Sequence, residues 1–118
     1  MNDSILATIK QLLGLEASYT AFDQDVLVGI NSAIMAIQQL GVGVQTEPFM
    51  VTGYNELWED LLDGSNWFAS VKLLIYYKTK LAFDPPTNGF LVTSIEKQIE
   101  ELEWRLNVQA EQKGTPQS

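Results

Sequence analysis

The sequence contains no cysteine and no histidine. That removes disulfides, thiolate nucleophiles, zinc sites of Cys/His type and imidazole acid–base chemistry together. Basic residues are scarce too: seven Lys and Arg face fifteen Asp and Glu, a formal net charge of −8. A surface so acidic repels phosphate backbones, which argues against a helix-turn-helix or other direct nucleic-acid binder. It does not argue against a protein that lets DNA pass without gripping it. No apolar run approaches the ~20 residues of a membrane span. The N-terminus shows no basic stretch leading into an apolar segment, so no secretory signal is expected. A Walker-type phosphate loop is missing, and Gly41-Val42-Gly43 reads as a helix stop and tight turn.

What is present is helical periodicity. The 118 residues suit one domain, and a chain this short leaves much of its surface uncovered. The spacing predicts an all-α fold: a small bundle of four main helices plus one short helix. An irregular loop, open to a short strand or hairpin, separates the second and third main helices. The first helix is expected from about Asp3 to Leu13, with Ile5, Leu6, Ile9, Leu12 and Leu13 on its stripe and Gly14 as its stop. Asp23 is expected to cap the second, which reaches Leu40 on a stripe of Val26, Leu27, Ile30, Ala33, Ile34 and Ile37. Val28 and Met35 point away from that stripe.

Leu57, Trp58, Leu61 and Leu62 suggest a short helix ending near Gly64. Ser65 or Asn66 is expected to cap the third main helix, which ends at Asp84. That helix is apolar almost all round, with Lys72, Tyr76 and Lys80 as a polar edge, and is expected to be the most buried. Asp84-Pro85-Pro86 is a rigid, donor-free corner. Thr87 or Asn88 then caps the last helix, on a stripe of Leu91, Ile95, Ile99, Leu102 and Leu106, ending near Ala110 or Glu111. Residues 1–111 are therefore expected to form one helical domain, and the polar residues 112–118 a disordered tail.

Only Asp and Glu are numerous enough to suggest chemistry. Glu56, Glu59, Asp60 and Asp63 scatter around the short helix without a calcium-loop pattern, and read as a solvated acidic surface. Glu96, Glu100, Glu101 and Glu103 on the last helix read the same way. No catalytic, cofactor-binding or metal-binding residue is expected. Lys72, Lys78 and Lys80 form the one basic cluster, suited to the C-terminal half of a helix or to an acidic neighbour across an interface.

Two places suggest contacts instead. Phe49, Met50 and Val51 lie in the irregular loop without a periodic role, so they either touch a neighbour or pack onto their own bundle. Trp104 projects opposite the apolar stripe of the last helix, beside Lys97, Glu100 and Val108, with Arg105 adjoining. It is either covered by the subunit's own chain or an anchor for another subunit, a role in which Trp is enriched.

In order along the chain, "YTAFD" (Tyr19–Asp23), "INSAIMAIQQLGVG" (Ile30–Gly43), "LWEDLLDG" (Leu57–Gly64), "FDPP" (Phe83–Pro86) and "QIEELEWRLN" (Gln98–Asn107) resemble the head–tail connector (adaptor) proteins of tailed bacteriophages. The resemblance runs from Ile5 to about Glu111. It implies a structural virion protein made in the cytoplasm of a bacterial host, from a free phage or a prophage. It further implies a ring of about twelve copies matching the symmetry of a portal protein. The ring would bridge the portal to a stopper or tail-completion protein and continue the channel through which DNA leaves. The residues alone leave open a small cytoplasmic helical adaptor or regulator, acting as a monomer or dimer.

Overall fold

Apolar residues at helical spacing, interrupted by glycine and proline, produce five helices in the computed structural model, which describes residues 3–64 and 67–114. They are α1 (Ile5–Leu12), α2 (Asp23–Gln39), α3 (Trp58–Leu62), α4 (Phe68–Phe83) and α5 (Gly89–Gly114). The fold is all-α. Among the described residues the only β feature is an isolated antiparallel bridge between Ser4 and Leu57. It docks the start of α1 against the start of α3: Ile5 N–H donates to Glu56 O and Trp58 N–H to Asp3 O. The Ser4 hydroxyl accepts from Ala7 N–H at 3.2 Å, so α1 begins at Ile5 rather than at Asp3.

Asp23 is the first residue of α2, not its cap. Phe22 occupies the cap position and has no side-chain acceptor to cap with, while the Asp23 carboxylate pairs with Lys10 at 2.7 Å. The expected caps of α4, Ser65 and Asn66, lie outside the described residues. α4 ends at Phe83 because Asp84, preceding Pro85, leaves helical geometry at φ −150° and ψ 68°. Asn88 begins α5, its Oδ1 accepting Phe90 N–H at 2.8 Å. α5 runs on to Gly114, past the end expected near Ala110 or Glu111.

α4 packs against α1, α2 and α5 and is the central helix. It is not the most buried, however. α2 buries seven residues, Val26, Leu27, Gly29, Ile30, Ala33, Ile34 and Ile37, whereas α4 buries Val71, Leu74, Ile75 and Thr79. The reason is coverage: α2 has α4 on one flank and the chain of residues 42–55 on another, while Leu73, Tyr76, Tyr77 and Phe83 of α4 are only half-covered. α2 and α4 cross closely at Gly29, where a Cβ would lie 3.0 Å from Thr79 Cγ2 and 3.3 Å from Thr79 Cα.

Trp58 fills the base of the core, donating from Nε1 to Thr8 Oγ1 at 3.0 Å and meeting Phe68 edge-on. α5 closes the bundle with Leu102 and Leu106. Its stripe then climbs out of the core toward the helix N-terminus: Ile99 and Ile95 are half-buried and Leu91 is exposed.

Candidate interaction surfaces

The irregular chain between α2 and α3 is laid along α2 by two side-chain amides two helical turns apart. Asn31 donates to Val51 O at 2.9 Å and accepts Val51 N–H at 2.7 Å, imitating a strand partner. Gln38 donates to Val44 O and Glu47 O and accepts Phe49 N–H. These bonds satisfy extended backbone that would otherwise need a sheet, which is why no hairpin forms here among the described residues. They also divide the three apolar loop residues. Val51 is fully buried and Phe49 half-buried against the subunit's own core, so these two take the second of the two expected roles, packing onto their own bundle. Met50 points outward, 55 % exposed.

Met50 is not alone. Val28 and Met35, two turns apart on the outer face of α2, are 70 % and 60 % exposed. With Met50 they line a cleft of ≈ 520 Å³ between α2 and the loop. The cleft adjoins a second hollow that runs past Gln38 and Gln39 to Pro48, whereas Phe22 and Phe83 line a separate hollow between α2 and α4. Asn31→Ala should free the loop on this side. Losing one partner from each of two Val51 backbone groups is expected to cost about 1–3 kcal/mol. Limited proteolysis within residues 42–55 should become faster; unchanged cleavage would show that packing of Val51 alone holds the loop.

The second apolar face belongs to α5. Trp104 is 66 % exposed and stands about 180° around the helix from Leu102 and Leu106. No part of the described chain folds over it. Phe90, 88 % exposed, lies four turns earlier on nearly the same side, with Lys97 midway between the two rings. Lys97, Glu100 and Arg105 are exposed around Trp104 and Val108 is half-buried. Arg105 pairs with Glu101 one turn away. Among the described residues Lys97 is in no ion pair.

Comparison with known proteins gives the family of this small helical bundle with its two apolar faces. The family described as phage connector protein matches residues 5–113. The chain belongs to that family. No curated protein and no solved structure matches it. The connector is thus a structural component of a bacteriophage, and no helix among its described residues is long and apolar enough to cross a membrane.

The charged residues of the connector follow expectation only in part: Glu59, Asp63, Glu96, Glu100 and Glu101 are exposed, as a solvated acidic surface requires. The three basic residues of α4 do not cluster. Lys78 pairs with Glu103 of α5 at 3.2 Å, Lys80 with Asp84 at 3.1 Å, and Lys72 lies over the Phe68 ring. Glu103 therefore ties two helices together instead of belonging to a solvated acidic face. Among the acids around α3, Glu59 and Asp63 are exposed, but Asp60 accepts Leu57 N–H and Glu56 accepts from Thr52 Oγ1 and Gly53 N–H. Burial alone would raise the Glu56 carboxyl, yet these hydrogen bonds hold it below the usual carboxylate range. At the Pro85–Pro86 corner, the Asp84–Lys80 pair and the Asp84 N–H bond to Lys80 O close the end of α4.

Phe90, Asn31 and Gln38 were not singled out from sequence. Phe90 was detectable in principle, since its separation from Trp104 is four whole turns. The amides carry no such signal, because nothing local says which extended backbone they will meet.

Proposed function

We propose that this connector assembles as a closed ring of about twelve copies between the portal vertex and the tail. The ring continues the DNA channel and completes the packaged head. Its partners are other copies of itself, the portal protein, and a stopper or tail-completion protein. Residues 1–111 act as one connector domain; of the expected tail, residues 112–114 belong to α5 and residues 115–118 lie outside the described residues. The protein is made in the bacterial cytoplasm and resides in the virion at the head–tail junction.

The observation that carries this reading is the pair of exposed apolar faces on α2 and α5 in a chain that matches the connector family almost end to end. A lone subunit gains nothing by leaving Val28, Met35, Phe90 and Trp104 in water, whereas a ring covers such faces. The outer face of α5, with Trp104 and Val108 as anchor and Lys97, Glu100 and Arg105 as rim, is assigned to a subunit or portal contact. Met50 supplies the contact from the loop. The charge supports a non-gripping channel: Lys78 and Lys80 are paired within the subunit, and the net charge is −8. Each basic contact to DNA would add salt-dependent affinity and slow its exit.

The test is addition of purified protein to portal-bearing, DNA-filled heads that lack it. Stoichiometric incorporation as a ring, seen by electron microscopy, is the expected result. A monomer or dimer that never joins such heads would return the chain to the class of small cytoplasmic adaptors. The corner gives a further check. Pro85→Gly with Pro86→Gly should lower incorporation more than thermal stability, because it frees the angle between α4 and α5. Normal incorporation of that double variant would make the corner incidental.

A further inference from the structure

We infer that the two apolar faces are the two halves of one contact: the Phe90–Trp104 face of α5 from one copy lies in the Val28–Met35–Met50 cleft of the next copy. This rests on the ring reading and names which surfaces make the ring.

A closed ring needs a heterologous contact, one patch meeting a different patch. Both faces turn away from the subunit's own core, and they agree in length, shape and charge. Phe90 and Trp104 are about 21 Å apart along α5. The cleft and the hollow beside it follow α2 from Gln24 to Gln39, about 22 Å, and share Met35. It is concave between α2 and the loop, whereas α5 is convex, a ridge that overhangs the bundle as its stripe leaves the core.

No Lys or Arg lines the cleft, and Glu47 stands toward one end of it. The face of α5 offers Lys97 between its aromatic rings, without an ion-pair partner among the described residues; Glu101 on that face is paired with Arg105, and Glu100 lies at its edge. The first turns of α5, Gly89 to Ile95, contain no acid. The cleft wall is also pre-organised, since Asn31 and Gln38 already fix the loop that forms it. Docking a helix there costs little ordering.

The lack of native cysteine makes the test clean. Ser32→Cys places a thiol midway along the exposed wall of α2, and Lys97→Cys places one midway between the rings of α5. The pair is close whichever way the docked helix runs. Rings are assembled on portal-bearing heads and treated with a short bifunctional maleimide. A mixture of the two single variants should give cross-linked dimers, and the double variant a ladder of larger species. Each single variant alone should give none.

Rings that form without these cross-links, or Lys97→Cys linking to itself, overturn the inference while leaving the ring reading intact. Failure of the unmodified protein to form rings overturns both. Val28→Asp and Phe90→Asp are a second measurement. Each should stay folded by circular dichroism and lose roughly ten-fold or more in incorporation. Full incorporation of either one sinks the proposed pairing.

Discussion

Lys10→Met is expected to destabilise the folded subunit by about 3–5 kcal/mol, the cost of breaking a buried ion pair from one side. Lys10 is 1 % exposed. Its Nζ pairs with Asp23 at 2.7 Å and donates to Ala17 O, Tyr19 O and Tyr54 Oη at 3.2, 2.7 and 2.7 Å. One ammonium thus fastens α1, the connection through residues 13–22, the start of α2 and the loop of residues 42–55. Methionine fills much of the same volume, so the loss reflects polar groups rather than a cavity. It strands the buried Oδ1 of Asp23, whose other oxygen keeps only the Tyr54 hydroxyl.

Chemical denaturation of both proteins measures the difference. Burial works against the charged lysine, but the Asp23 and Tyr54 hydrogen bonds and the Asp23 charge outweigh it and raise its pKa above 10.5. A group whose folded pKa is raised stabilises fully below its unfolded value and loses that contribution as pH climbs through the folded one. The gap between the two proteins should therefore hold from neutral pH to about 10.5 and narrow above it. A difference under about 1 kcal/mol at neutral pH would mean that the stranded oxygen finds water.

Lys10 also shows where sequence reading stops. The apolar stripe of α1 was legible at Ile5, Leu6 and Ile9, which are buried, but not at its end, where Leu12 is exposed and Leu13 half-buried. A single lysine beside that stripe reads as solvent-facing, because burial of a charge depends on acceptors the helix does not contain. Two of those acceptors are carbonyls in the following connection, and a third comes from Tyr54, far along the chain. Asp23 has the right chemistry for a cap, but it is the first residue of α2 and its carboxylate pairs with the buried ammonium.

Periodicity performed well wherever one helix face alone decided burial. It placed the stripe of α2, the outward direction of Val28 and Met35, and the core role of Leu102 and Leu106. It could not show that the α5 stripe fades toward Leu91, because the sequence does not say how far α4 extends beneath it. Nor could it show that Lys78 would find Glu103, since the two lie on different helices. Proline chemistry located the corner at Asp84-Pro85-Pro86, which is backbone sterics and needs no tertiary information.

Trp104→Ala is expected to leave the isolated subunit as stable as before, within about 0.5 kcal/mol, and to lower incorporation into portal-bearing heads severely. The two halves of the expectation have separate causes. Within the subunit, Trp104 faces away from Leu102 and Leu106 and is two-thirds exposed, so its removal opens no cavity. Within a ring, burial of that indole against a neighbour is the kind of contact that costs 2 kcal/mol or more when truncated. That is about thirty-fold per contact. Because every subunit repeats the contact, the losses accumulate around the ring.

Thermal melting of the free protein and binding to heads, measured side by side, separate the causes. Trp104→Phe should retain part of the binding, since an aromatic ring remains. Glu100→Ala, on the rim, should retain nearly all of it, because rim charges contribute little to affinity. Should Trp104→Ala melt the free subunit while the fraction that stays folded still assembles normally, Trp104 supports its own bundle and the outer face of α5 is not the contact that builds the ring.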